Sequence, residues 1–142
     1  MRLASVSLVA GLCAAGSSGC GTEDPALTQP STNGALAVES FTGTLAKGGT
    51  AFYSFTVPRD GNVSLTLLSL TIGGVPSDLS ITMGLGVPRG TACQTQAQQG
   101  VTVGVTPQIT NAVVPSVYCV NVNDPGNLTA DAVFSVNIAR PR

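Results

Sequence analysis

The stretch of sequence that decides the fold is residues 51–70, which read AFYSFTV-PRDG-NVSLTLLSL. Apolar and polar residues alternate within residues 51–57 and again within residues 62–67, and this period of two predicts half-buried strands. Pro58 presets a turn conformation, and Gly61 accepts the positive φ that closes a turn. We therefore expect two antiparallel strands joined by a tight turn. The core should nucleate here, where three of the six aromatic residues lie.

The second of these strands contains a break in its alternation. Up to Leu67 its apolar residues have odd numbers, and from Leu68 onward they have even numbers. Because side chains alternate strictly between the two faces of a regular strand, both sets cannot reach one core without an inserted residue. We predict a β-bulge at Leu67–Leu68 that turns Val63, Leu65, Leu68 and Leu70 to the same side. The alternative is an unbroken strand whose two halves are buried on opposite faces.

Outward from this stretch, short alternating segments are separated by turns rich in Gly and Pro. A polar loop is expected at residues 88–100. Strands are expected at residues 36–45, 51–57, 62–72, 79–87, 101–105, 108–114, 117–122 and 132–138. About eight short strands without a convincing helix are typical of an all-β fold, here an antiparallel, jelly-roll-like β-sandwich.

The N-terminal residues have the pattern of an export signal. One positive charge at Arg2 precedes residues 3–15, which are apolar, small and too short to span a bilayer. The sequence Ser17-Ser18-Gly19-Cys20 then resembles the lipobox of bacterial lipoproteins, in which a cysteine after a small residue becomes the lipid carrier and the new N terminus. Ser17 departs from this pattern, because the family prefers Leu at that position.

The lipobox resemblance implies a signal peptide of lipoprotein type at 1–19. The residues that follow contain prolines and glycines without periodicity, so we expect a flexible tether at 20–34. The β-sandwich domain is expected at 35–142. The lipobox resemblance also places the chain in the bacterial cell envelope, on the periplasmic or surface side, with the membrane contacted through lipid on Cys20. The alternative is a plain signal peptide, cut near Ala15 or Gly19, and a secreted protein.

Cysteine counting agrees with the lipid anchor. Of the four cysteines, Cys13 would be lost with the signal peptide and Cys20 would carry lipid. Cys93 and Cys119 then remain as an even pair, for which we predict a disulfide across a loop of about 27 residues, worth roughly 3–4 kcal/mol. A redox thiol pair is the alternative, but the sequence has neither Cys-x-x-Cys nor histidine to activate a thiol.

The amino-acid composition argues against two classes of function, nucleic-acid binding and Ser-His-Asp catalysis. The net charge of −1 offers no basic field for nucleic acid, and the absence of histidine removes Ser-His-Asp catalysis. We expect no enzymatic activity and no cofactor. Weak candidates for a calcium site are the loop carboxylates Asp78, Asp124 and Asp131, although no loop shows regular ligand spacing. Phe52 faces away from Tyr53 and Phe55, so it is the aromatic residue that we expect to be exposed or at a contact.

Several segments together resemble the bacterial pre-peptidase C-terminal domain over about residues 35–140. They are Gly43-Thr44-Leu45, residues 51–57, Asp60 to Leu67, Ser77 to Ile81, and Tyr118 to Val122. The resemblance implies a jelly-roll-like sandwich in a secreted protein, often beside a peptidase and related to sugar- and collagen-binding modules. It supplies no catalytic motif.

The sequence therefore predicts a non-catalytic, lipid-anchored cell-envelope β-sandwich that binds an extracellular glycan or protein. One alternative is a structural or assembly partner that docks on another envelope protein through a sheet edge. Another alternative is an enzyme, which the absence of histidine disfavours.

Overall fold

The structure, a computed structural model, describes residues 34–142. This range contains nine β-strands and no helix, which confirms the all-β prediction. The strands are β1 (Leu36–Leu45), β2 (Thr50–Val57), β3 (Gly61–Ile72), β4 (Val75–Pro76), β5 (Ile81–Arg89), β6 (Ala92–Val101), β7 (Ile109–Val113), β8 (Ser116–Asn123) and β9 (Ala132–Pro141). Within these residues no helix is long and apolar enough to cross a membrane.

The strands form two antiparallel sheets. Sheet A has the order β1-β9-β3-β4, with β7 also paired to β3, and sheet B has the order β2-β8-β5-β6. The pairings are nested, because β1 pairs with β9, β2 with β8, β3 with β7 and β5 with β6. The first half of the chain thus pairs in reverse order with the second half. This is the jelly-roll arrangement of a β-sandwich, as predicted.

The expected antiparallel pairing of residues 51–57 with residues 62–72 is wrong. These segments are strands, β2 and β3, but β2 lies in sheet B and β3 in sheet A, so residues 58–60 cross between the sheets. The alternation of apolar residues reports that one face is buried and does not report which strand is the neighbour. Gly61 is nearly extended, with φ of 158°. Its missing side chain permits the close approach of Pro141, since a Cβ would lie 2.5 Å from the Pro141 Cγ.

The expected loop at 88–100 and the expected strand at 101–105 are also wrong. Residues 92–101 form β6, which pairs with β5, and an irregular connection follows. Gly104 and Gln108 of this connection donate backbone hydrogen bonds to the carbonyl groups of Leu67 and Leu65, at 2.9 and 3.0 Å. Sheet B ends at β6, so its side chains are mostly polar on both faces and the strand lacks an apolar alternation. The sequence analysis also missed the two-residue strand β4.

The predicted β-bulge in β3 is confirmed. The register of β3 against β9 shifts between Leu67 and Ser69, so Leu68 is the inserted residue. Leu67 and Leu70 are both buried in the core, whereas Leu68 is 37% exposed. The prediction that Leu68 shares the core side is therefore wrong. The inserted residue itself points away, and this restores the inward direction for the apolar residues before and after it.

The core lies between the two sheets and is centred on Phe134 of β9, which is fully buried. Phe41 of β1 packs edge-on against Phe134 with ring centroids 5.3 Å apart. Phe41 also stacks on Tyr53 of β2 at 4.9 Å, and this contact joins the two sheets where β1 and β2 lie at their edges. Aromatic pairs of this kind add about 0.5–1.5 kcal/mol to the stabilisation from buried area.

Candidate functional site

An open cleft of about 870 Å³ lies on the outer side of sheet A. We call it the Arg59 cleft. Its floor comprises side chains of β3, β7 and β9, and its walls are the crossover between β2 and β3 and the beginning of β1. The polar residues that line it are Arg59, Asp60, Asn62, Ser64 and Thr110. A volume of this size is in the range of small-molecule and short-polymer sites.

The geometry of the Arg59 cleft follows from strand register. Ser64 of β3 pairs with Thr110 of β7, so their hydroxyl groups lie on the same face, 3.0 Å apart and hydrogen-bonded. Arg59 extends from the crossover and lies directly against Gly34. The cleft therefore presents a guanidinium group, a carboxylate, an amide and two hydroxyl groups around an open space, together with the apolar surface of Leu36 and Pro141.

Phe52 lies where the sequence analysis expects it. It is on the outer face of β2, which ends sheet B, and it is 37% exposed. It pairs with Asn121 of β8. Its exposure is confirmed, and its role as a contact stays a prediction. No residue of β2 is charged, although edge strands are commonly protected by charge.

The predicted disulfide between Cys93 and Cys119 is present, with a Cα–Cα distance of 5.9 Å. It joins β6 to β8 across the intervening strand β5. In a flat sheet these strands would lie roughly 9.6 Å apart, too far for a disulfide. The strand β6 therefore coils over the outer face of β5.

This coiling requires the two glycines on the outer face of β5, Gly84 and Gly86. A Cβ on Gly86 would overlap the carbonyl group of Gln94, and one on Gly84 would lie 2.8 Å from the Cγ2 of Thr95. The disulfide thus holds the 88–100 segment over sheet B, as expected, but that segment is a strand instead of a loop.

The three carboxylates proposed for calcium are not gathered into one site. Within residues 34–142 no group of three or more His, Cys, Asp or Glu side chains could hold a metal ion. Asp131 accepts a hydrogen bond from the backbone N–H of Lys47 at 3.0 Å. Asp78 lies with Leu68 and Val103 at a separate, small cleft of about 160 Å³.

Asp124 is 4% exposed, and its carboxylate accepts hydrogen bonds from the backbone around it. Its Oδ1 accepts hydrogen bonds from the N–H groups of Gly126, Asn127 and Leu128, and its Oδ2 accepts one from Gly48 at 2.7 Å. Burial raises the pKa of Asp124, but these four backbone hydrogen bonds together outweigh burial and lower the pKa below its usual value. Asp124 thus ties the β1–β2 turn to the connection after β8.

The sequence analysis did not identify the polar residues of the Arg59 cleft as a site. The sequence pattern predicts that Arg59 lies in a turn and that Asn62 and Ser64 lie on the polar face of an alternating strand. Their approach to Thr110 depends on the pairing of β3 with β7, which local patterns do not specify. Cys20, the predicted lipidation site, lies outside the described residues, as do the signal peptide and nearly all of the tether.

No family model matches the chain. A search of curated proteins finds no match either. Among solved structures, the chain is similar to the Yersinia pseudotuberculosis-derived mitogen, with a TM-score of 0.51 and 10% sequence identity. The similarity covers 75% of this chain and 87% of the mitogen chain. At this identity the likeness shows a shared fold alone, which is the antiparallel β-sandwich described above.

Proposed function

We propose that this protein is a non-catalytic binding module, anchored by lipid on Cys20 in the bacterial cell envelope, that recognises an extracellular glycan or protein. The lipobox-like Ser17–Cys20 sequence supports the anchor. The disulfide between Cys93 and Cys119 supports an oxidising compartment, because structural disulfides persist outside the cytosol. The resemblance to the pre-peptidase C-terminal domain supports a binding role.

The observation that carries this proposal is the chemistry of the Arg59 cleft. Its amide and hydroxyl groups, Asn62, Ser64 and Thr110, are neutral hydrogen-bonding groups that suit the hydroxyl groups of a glycan or the backbone of an extended peptide. Arg59 adds a donor for a carboxylate or a phosphate. The lowered pKa of Asp124 supports a structural role for that carboxylate.

Binding is tested with the exported chain from residue 20 onward, immobilised and exposed to a glycan array and to solubilised envelope proteins. Thr110→Val removes one cleft hydroxyl group at nearly constant volume, and Asn62→Ala removes the amide. We expect each to weaken binding about tenfold, which corresponds to the loss of about 1.4 kcal/mol. Thr56→Val, on the exposed face of β2, is the matched control and should bind like the unchanged chain. Equal binding by all three variants would refute the cleft as the site.

The lipid anchor has its own test. Mass spectrometry of the exported protein should show an N-terminal Cys20 that carries lipid. An unmodified N terminus at another residue would refute the anchor and leave the binding proposal standing.

The second candidate function, an assembly partner, is favoured by the uncharged edge strand β2 with its exposed Phe52. Such an edge can add a strand from another protein. A lysine at Ser54 would protect this edge by charge, so Ser54→Lys and Phe52→Ser should abolish capture of an envelope protein. The cleft variant Thr110→Val should leave this capture unchanged. The opposite pattern would favour the cleft.

A further inference from the structure

The charged side chains of the domain are divided between the two ends of the sandwich. One end, which we call the arginine pole, is formed by the beginning of β1, the crossover 58–60, the end of β9 and the β5–β6 turn. Strand register places these segments together. Leu36 pairs with Pro141 and Val57 with Ser116, and Gly86, near the end of β5, pairs with Cys119, near the start of β8. Every arginine in the described residues lies at this pole: Arg59, Arg89, Arg140 and Arg142.

The opposite pole is acidic. It consists of the β1–β2 turn, the connection from β8 to β9 and the segment before β5, which strand register also brings together, since Leu45 and Ile72 both pair with Ala132. Its charged residues are one lysine, Lys47, and three aspartates, Asp78, Asp124 and Asp131. Residues 34–142 have equal numbers of positive and negative side chains, and these charges are separated between the two ends of the sandwich.

At the arginine pole four arginine side chains outnumber two carboxylate side chains, so the pole has a net positive side-chain charge. Arg140 is paired with Glu39, with 3.0 Å between Nε and Oε1, and this is the sole ion pair within residues 34–142. Arg89 donates a hydrogen bond to the neutral side chain of Gln94. Asp60 is the one further carboxylate side chain at this pole. Arg59, Arg89 and Arg142 form no ion pair within residues 34–142, so these are the side chains at the pole that can meet an anion.

The chain leads toward Cys20 from this same pole. Gly34 lies against Arg59, and Leu36 begins β1 beside the end of β9. Cys20 precedes Gly34 by 14 residues in the sequence. Anchoring through Cys20 would therefore hold the arginine pole nearer to the membrane than the acidic pole.

We propose that the arginine pole docks on the headgroups of an anionic phospholipid surface, with the acidic pole directed away from it. Guanidinium groups bind phosphate oxygens bidentately, which suits them to phosphodiester headgroups. Each arginine close to such a surface strengthens binding about fivefold, and repulsion of the acidic pole adds to the preference for one orientation. The biological setting rests on the proposed anchor, whereas the docking itself depends only on the folded domain. In this orientation the Arg59 cleft lies beside the headgroups. Phe52, near the start of β2, lies farther from the headgroups.

The experiment measures partition onto vesicles by flotation at low ionic strength, with the chain from residue 20 onward and Cys20→Ser in every protein. Vesicles of phosphatidylglycerol and phosphatidylethanolamine in equal parts are compared with vesicles of phosphatidylcholine. We expect binding to the anionic vesicles only, and loss of that binding near 1 M salt, where the Debye length is about 3 Å.

Matched variants identify the pole. Arg59→Ser and Arg142→Ser should each lower the partition coefficient about fivefold, and the double variant about 25-fold. Lys47→Ser removes the same charge from the opposite pole and should leave partition unchanged. Arg142 is exposed and follows the last strand, so its replacement leaves the core intact.

Three outcomes would overturn the proposal. They are no binding of the unchanged chain to anionic vesicles, equal binding to phosphatidylcholine, and a loss with Lys47→Ser as large as the loss with Arg142→Ser. No protein in this experiment carries lipid, and no glycan is present. A negative result would therefore refute the docking of the arginine pole without testing the proposed lipid anchor or the proposed binding module.

Discussion

Removal of the Cys93–Cys119 disulfide should destabilise the domain by an amount that follows from its position in the chain. The two residues are separated by 26 positions. For a loop of this length, the entropy of loop closure in the unfolded chain corresponds to about 3.5 kcal/mol at 25 °C. Alanine is the replacement of choice, because Cys119 is fully buried and a serine there would place an extra hydroxyl group in an apolar site.

The assay is denaturant unfolding of the Cys93→Ala/Cys119→Ala variant, followed by circular dichroism. We expect a loss of about 3.5 kcal/mol in the free energy of unfolding, or a Tm lower by roughly 15 °C, since 1 kcal/mol shifts Tm by about 4–8 °C in domains of slightly smaller size. Cys20→Ala is the matched control and should leave the unfolding free energy unchanged.

Hydrogen exchange should locate the effect. β6 has one sheet neighbour, β5, and the disulfide is its other link to sheet B. When the disulfide is removed, the amide groups of β6 should therefore exchange faster than those of the central strand β9. A loss below about 1 kcal/mol, or uniform exchange across both strands, would refute the reasoning that the disulfide holds β6 over sheet B.

The remaining predictions concern the bulge, the glycine strand and the buried carboxylate. Leu67→Ala should cost about 2–5 kcal/mol and Leu68→Ala less than about 1 kcal/mol, both from denaturant unfolding, because only the first side chain is buried in the core. Gly86→Ala should cost about 1–3 kcal/mol in the same assay, since its Cβ would overlap β6; an unchanged midpoint would contradict the coiling of β6. Because the pKa of Asp124 is lower in the folded state, its stabilisation should be complete above its ordinary pKa of 3.8 and lost as pH falls through the lower, folded value. Asp124→Asn should therefore have a lower Tm at neutral pH and a shallower fall of Tm in acid, and parallel Tm profiles would contradict this.

The sequence predicts well those features that depend on a single strand. The alternation in residues 51–57 identifies β2, and the change of phase at Leu67–Leu68 identifies a bulge that the structure contains. Both follow from the strict alternation of side chains along a strand. The face of the sheet to which Leu68 points was not predictable in this way, because the side chain of an inserted residue can point to either face.

Features that depend on pairing between distant strands were not predictable from local patterns. The β2–β3 segment has the signature of a hairpin, but its strands find partners in β8 and β9, late in the chain. The glutamine-rich strand β6 has the sequence pattern of a loop, because an edge strand with few buried side chains has no apolar alternation. The Arg59 cleft has no local sequence pattern either, because it forms only when distant strands pair and bring Ser64 next to Thr110.

The nested pairing of the strands also determines when the chain can fold. β1 has one sheet neighbour, β9, so the first strand of residues 34–142 can pair only after the last strand of this range has been synthesised. Contacts between residues this far apart in sequence form slowly, because the intervening chain must be ordered before they stabilise anything. A nascent chain that has not yet released β9 cannot close sheet A, so this domain should stay unfolded until residues 132–141 have left the ribosome. Under the export proposed above, that delay would keep the polypeptide in a form that can pass through a membrane before it folds.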